Sequence, residues 1–212
     1  MKKVLVLLLM LLFAVISCGK KETKEVKKEE PVKVALNKTS MADTIQKIPD
    51  FVNAKNPIVV IETDFGNMEM EVFLKETPKT AQNFLKLVST GFYDSLTFQR
   101  IIPNFVIQGG DPMGDGTGEP GYYINDEIRM KHKLGSVGMA TSGPNTAGSQ
   151  FYICLKGLPQ LDKNYTVFGK IISGMDVAQK IAGVETTVDP NSGEKSVPVQ
   201  RVYMKKVYMK SQ

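Results

Sequence analysis

Phe98, Gln99, Arg100, Ile101, Ile102, Pro103, Asn104, Phe105, Val106, Ile107, Gln108, Gly109, Gly110, Asp111 is the densest block in this 212-residue chain: two short apolar runs separated by Pro-Asn and closed by paired glycines. Runs this short, rich in β-branched and aromatic residues and bounded by turn formers, predict strands over 97–102 and 105–108. One charged side chain, Arg100, stands inside the first run. It has two readings at this level. Either it snorkels from a sheet edge and pairs with a carboxylate, or it is kept there as a donor for chemistry.

Working outward, the same signature recurs. Residues 58–63 form a β-branched run, and Met68, Met70 and Val72 alternate with Glu69 and Glu71, which is hairpin spacing. Thr77 is the expected N-cap of a helix with Pro78 at its first position, and Ala81, Phe84, Leu85 and Val88 fall at helical spacing before Gly91. Further strands are expected at 135–140, 150–155 and 167–171. A second helix is expected over 174–181, with Ser173 as its cap and Gly183 as its stop. Residues 197–209 read as extended, with Val202 and Met204 on one face and Tyr203 and Lys205 on the other. Many short strands with two helices predict a closed antiparallel barrel or a sandwich. About 155 residues suffice for one such core.

The N-terminus is built differently. Lys2 and Lys3 precede thirteen apolar residues, 4–16, and then Ser17 and Cys18, the layout of a secretory signal. Thirteen is short of the roughly 20 residues that a membrane-spanning helix needs. Val15, Ile16, Ser17, Cys18 resembles the lipobox of bacterial lipoproteins, whose cysteine is acylated and becomes the new N-terminus; a plain signal peptide cut nearby is the other reading. The division expected is a signal peptide at 1–17, a lipidated Cys18 heading a Lys/Glu-rich tether over 18–56, and a globular domain over 57–212. A flexible tether of that length reaches roughly 30 to 40 Å. Residues 40–52 are less polar than the rest of it.

Charge and chemistry exclude several functions. The formal +5 contains the two signal lysines, so removing them leaves 25 basic and 22 acidic side chains, a balance of +3 that gives no reason to invoke nucleic acid. The chain has one histidine, His132, set among Arg129, Lys131 and Lys133 and read as a solvated loop residue. Without a second histidine or a cysteine pair, the usual parts of a zinc site or a Ser-His-Asp or Cys-His nucleophile are missing. Cys154, in the apolar run 151–155, reads as a buried, unreactive thiol. The glycine-rich stretches at 109–110 and 114–118 lack the Lys-Ser/Thr ending of a phosphate loop and read as turns.

A second block, Gly138, Met139, Ala140, Thr141, Ser142, Gly143, Pro144, Asn145, Thr146, Ala147, Gly148, Ser149, Gln150, Phe151, decides between the two readings of Arg100. Together the blocks resemble the cyclophilin family of prolyl isomerases in the runs FxRIIPxFxxQGGDP and MAxxGPNTxGSQFYI. The resemblance continues through Thr77, Pro78, Lys79, Thr80, Ala81, Asn83 and Phe84, and through Leu161, Asp162, Lys163 and 165–170. It implies an all-β fold with two helices, a closed eight-stranded antiparallel barrel capped by both. By position it makes Arg100 the catalytic residue and Phe105, Val106, Gln108, Ala140, Thr141, Ser142, Gln150, Tyr152, Leu161 and Tyr165 the groove that binds substrate. Tyr165 stands where histidine is usual and Gln160 where tryptophan is usual, departures that count against tight cyclosporin binding. Tyr152 replaces a phenylalanine, and its added hydroxyl needs a partner if buried.

The function so implied is rotation about X-Pro bonds in polypeptides outside the cytoplasm, aiding their folding, by a membrane-anchored monomer on the periplasmic or cell-surface side. No cofactor or metal is implied, because the reaction breaks no bond. The rival is a groove that only binds proline-containing segments, as a chaperone module would.

Overall fold

The alternation in the first hairpin fixes which way the sheet faces. In β1 (Ile58–Thr63) and β2 (Gly66–Val72), Val59, Ile61, Met68, Met70 and Val72 have no exposed surface, while Glu69 and Glu71 on the other face reach solvent. The computed structural model describes residues 55–211. The expected signal peptide, Cys18, the tether up to residue 54 and the less polar stretch 40–52 lie outside the described residues.

The chain continues through α1 (Pro78–Ser89), β3 (Arg100–Ile102), β4 (Val106–Gly109), β5 (Ser136–Met139), β6 (Phe151–Cys154), a 3-10 turn (Pro159–Leu161), β7 (Val167–Ser173), α2 (Met175–Ala182), β8 (Thr186–Val188), β9 (Lys195–Pro198) and β10 (Met204–Met209). Eight strands form one antiparallel sheet in the order β10-β1-β2-β7-β5-β6-β4-β3. The sheet curls but its ladder does not close, which corrects the closed barrel. The segments entering the two edge strands meet in a single bridge, Thr97 to Tyr203, flanked by backbone bonds from Phe98 to Val202 and from Met204 to Leu96. Beyond that point β3 has no ladder to β10. The hairpin β8–β9, a second small sheet that the sequence reading did not anticipate, fills in there, with β9 passing close to β3.

Apolar side chains gather on both faces of the central strands. The inner cluster is aromatic at its centre: Phe84 of α1 packs on Tyr93 at 5.1 Å, on Phe168 at 5.0 Å and edge-on to Phe151 at 5.6 Å. A smaller outer cluster joins Val106, Tyr152, Cys154 and Leu158. Burial on both faces explains why β6 reads as a continuous apolar run rather than an alternating one.

Both helices form where expected, with different starts. Thr77 takes the N-cap position of α1 but makes no capping bond; its hydroxyl donates to the Phe73 carbonyl. One open donor of its first turn is met by Glu127, 47 residues beyond Thr80, which accepts from both the backbone N–H and the hydroxyl of Thr80 at 2.9 Å. In α2, Ser173 ends β7 instead of capping the helix. The chain turns into it through Gly174 at φ 81°, where a Cβ would lie 2.3 Å from the Asn67 carbonyl. Gly183 ends α2 as expected.

Candidate active site

Strand register sets the site. Arg100 on β3 lies opposite Gln108 on β4, Gln108 opposite Tyr152 on β6, and Tyr152 opposite Gly138 on β5. Opposed residues share a face, so the four make a row across the outer surface of the sheet. A Cβ at Gly138 would come within 2.5 Å of the Tyr152 ring, so the glycine is what lets that ring lie down along the sheet.

At the open end of the row, the Arg100 guanidinium carbon stands 5.9 Å from the centre of the Phe105 ring. Its Nη1 donates to Gln108 Oε1 at 3.3 Å. Its Nε and Nη2 donate to the two carboxylate oxygens of Glu194 at 2.7 and 3.1 Å. Both readings of Arg100 therefore describe it: it is an edge-strand arginine paired with a carboxylate, and it also borders the apolar cluster. Glu194, at the end of the β8–β9 turn, was not identified from sequence. It is 94 residues away, in a polar stretch with no recognisable motif.

The remaining groove residues divide into two groups. Phe105, Ala140, Leu161 and Tyr165 pack, half-buried, around the outer cluster of Val106, Tyr152, Cys154 and Leu158. Tyr165 meets Tyr152 edge-on at 6.0 Å. Thr141, Ser142 and Gln150, together with Gln108 and Ala140, line an adjoining cavity of about 250 Å³. Gln150 ties the two groups together. Its Oε1 accepts from Gln108 at 3.0 Å and from Gln99 at 2.9 Å, and its Nε2 donates to the carbonyls of Gly116 and Gly118. The glycine-rich loop is thus one wall of the cavity. It is wrapped round Asp111, whose carboxylate accepts the backbone N–H groups of Met113, Asp115 and Gly116.

His132 is where the sequence reading fails. It is 3 % exposed, not solvated, and its ring stacks on Tyr152 at 5.9 Å. Its Nε2 lies 2.7 Å from the Tyr152 hydroxyl and its Nδ1 2.9 Å from Asp162. This answers the question raised by the tyrosine: the hydroxyl has a buried partner. Lys131 and Lys133 are exposed while the residue between them turns inward, so a polar neighbourhood concealed a buried ring. The His132 N–H donates to Asp162 as well, and this bond, with the ring's, holds the Asp162 carboxyl below its ordinary range. Burial pushes the Tyr152 hydroxyl well up and raises the Cys154 thiol to about 12, consistent with an unreactive sulfur.

What the arrangement offers is an apolar surface with one cationic fork at its rim and a cavity beside it. A guanidinium has five N–H donors. Glu194 takes two and Gln108 one, so among the described residues two, one on each terminal nitrogen, remain for a ligand in the groove.

Comparison with known proteins agrees with this geometry. Residues 58–209 match the family model described as cyclophilin type peptidyl-prolyl cis-trans isomerase. A peptidyl-prolyl cis-trans isomerase of Helicobacter pylori is 47% identical over 133 residues, 60% of this chain and 82% of that protein. One from Arabidopsis thaliana is 43% identical over 136 residues, 61% of this chain and 83% of its own length. The crystal structure of a cyclophilin type isomerase from Cryptosporidium parvum superposes with a TM-score of 0.69 at 34% identity, covering 74% of this chain and 99% of that one. A second structure of that enzyme, obtained in the presence of the dipeptide Ala-Pro, superposes with a TM-score of 0.67. A match that spans every strand of the main sheet, with the arginine row in place on it, makes this chain a member of the cyclophilin type peptidyl-prolyl cis-trans isomerase family.

Proposed function

We propose that the protein accelerates cis/trans rotation of X-Pro bonds with Arg100 as its catalytic residue, acting as a monomer on polypeptides outside the cytoplasm while acyl chains on Cys18 hold it at a membrane. The barrier to rotation is about 18 to 20 kcal/mol, because the twisted bond loses resonance between the nitrogen and the carbonyl. In the twisted state the prolyl nitrogen becomes pyramidal and its lone pair accepts a hydrogen bond, which it does poorly when planar. A donor that meets only that state lowers the barrier without tightening the ground state. The two remaining N–H groups of Arg100 supply such donors beside a half-dry surface, where charge-assisted bonds are strong.

Phe105, Tyr152 and Leu161 form the slot for the proline ring, and Gln108 orients the guanidinium. A slot that grips the ring while the preceding carbonyl swings free favours the twisted form. Ala140, Thr141, Ser142 and Gln150 bind the residues that precede the proline, in the adjoining cavity. The extracytoplasmic placement rests on Lys2, Lys3, the apolar run that follows and Cys18.

The single observation that carries the catalytic reading is the guanidinium beside Phe105 at the rim of the apolar cluster. The test is a refolding reaction limited by proline isomerisation. The wild-type protein shortens a phase that otherwise lasts tens to hundreds of seconds, and Arg100→Ala loses most of that effect while still binding a proline peptide. The Glu194 pairing gives the rival some support, since a carboxylate already occupies the arginine. A groove that only binds predicts peptide affinity with no acceleration by the wild type.

A further inference from the structure

Glu194 belongs to a hairpin that the fold does not require for its main sheet. Its turn is nevertheless firmly built. Asp189 and Glu194 are bonded from N–H to carbonyl at 2.8 Å, Gly193 donates to the Asp189 carbonyl at 2.8 Å, and the Asp189 carboxylate accepts from the Asn191 N–H and the Ser192 hydroxyl. Gly193 holds φ 72°, the left-handed conformation that lets the chain deliver Glu194 back toward β3. The ladder between β3 and β10 opens at this place, so β9 can run past β3 and bring the carboxylate to the guanidinium.

The pairing is side-on and bidentate. It engages Nε and Nη2 and, with Gln108 on Nη1, leaves one N–H on each terminal nitrogen without a partner among the described residues. Without it, Arg100 would keep one neutral bond of 3.3 Å to Gln108 and a ring contact at 5.9 Å, with a third of its side chain exposed. Those contacts do not fix the plane of a guanidinium, which turns about four side-chain torsions. Two charge-assisted bonds to a carboxylate on a rigid turn do. The pair contributes little to the stability of the fold, because both partners are about a third exposed.

We propose that Glu194 is a positioning residue for the isomerase reaction: its carboxylate clamps one edge of Arg100 so that the opposite edge meets the twisted imide. This rests on the reading of Arg100 as the catalytic residue. The carboxylate also offsets the arginine's charge, so the groove selects by the geometry of its donors instead of drawing in acidic peptides by a bare cation.

The experiment measures kcat and KM separately on an Ala-Pro tetrapeptide, by isomer exchange in the full chain, for wild type, Glu194→Ala, Glu194→Gln, Arg100→Lys and the double variant Glu194→Ala with Arg100→Lys. Glu194→Ala is expected to lower kcat on the order of tenfold, since loosening a catalytic group by a fraction of an ångström has effects of this size. KM and the melting temperature are expected to stay close to wild type. Glu194→Gln, which can accept only one of the two bonds, falls between them. In the Arg100→Lys background, where the fork is gone, Glu194→Ala changes nothing further. Unchanged kcat, an equal loss in both backgrounds, or a loss confined to KM overturns the proposal. A rise in kcat overturns it too, and a fall in KM with kcat unchanged overturns it by identifying the carboxylate as a competitor of the substrate. If Arg100→Lys and Arg100→Ala are themselves fully active, it is the catalytic assignment that has failed.

Discussion

Tyr152 has two sides: its ring belongs to the outer apolar cluster, the proposed wall for a proline ring, and its hydroxyl meets His132. Removing its hydroxyl leaves the apolar wall but strands a buried imidazole nitrogen. Tyr152→Phe is therefore expected to cost about 1 to 3 kcal/mol of stability, the price of one unsatisfied buried polar atom, while rate on a saturating peptide changes little. Urea unfolding of wild type and variant checks the first part; equal midpoints would show the His132 contact to be energetically idle. The block around Arg100 stood out in the sequence because it is dense and local, but its pattern left two readings of the arginine open, and Gln108 and Tyr152 were singled out only through the family resemblance; the fold adds that the three share one row. His132 was not legible, since its flanking lysines describe the outside of the chain and its own ring goes in. Glu194 could not be read either: an ion pair across 94 residues leaves no trace in local pattern.

Elements were more legible than their junctions. Strand and helix positions followed from period and turn residues, but the start of α1 depends on Glu127, which stands far along the chain and meets Thr80 in the fold. The N-terminal N–H groups of a helix attract a carboxylate through both hydrogen bonding and the helix dipole. Glu127→Ala is expected to destabilise the protein by about 1 to 2 kcal/mol, a typical cost for a lost cap. Glu127→Gln should recover part of it by keeping one acceptor. Hydrogen exchange at residues 79–82 is the direct readout; protection unchanged in Glu127→Ala would mean that water replaces the cap without loss. The β8–β9 hairpin escaped notice for a different reason. Its strands are short and largely exposed, so neither alternation nor an apolar run marks them, and only the gap beside β3 gives them a place.

For the whole molecule, the sequence fell short on closure. Eight strands were expected to join edge to edge, yet the chain leaves for β8–β9 before returning as β10, and a single bridge is what remains of the seam. The N-terminal expectation is tested at the same scale. If Cys18 carries the anchor, Cys18→Ser is expected to leave the membrane fraction, as released protein or as an unprocessed precursor, with its isomerase activity intact. Fractionation followed by mass spectrometry of the N-terminal peptide reads this, and retention at the wild-type level would exclude acylation as the tether.

Cys154 sits within the outer cluster, packed with Val106, Tyr152 and Leu158, with no exposed surface and its thiol pushed up to about 12. A reagent can reach that sulfur only when the packing around it opens. The rate of its alkylation at neutral pH is thus a native clock for opening of the outer cluster, where the proline ring is proposed to bind, with no probe group built into the protein. Peptides that occupy the slot should slow the clock in proportion to their occupancy, and those that touch only the adjoining cavity should leave it running.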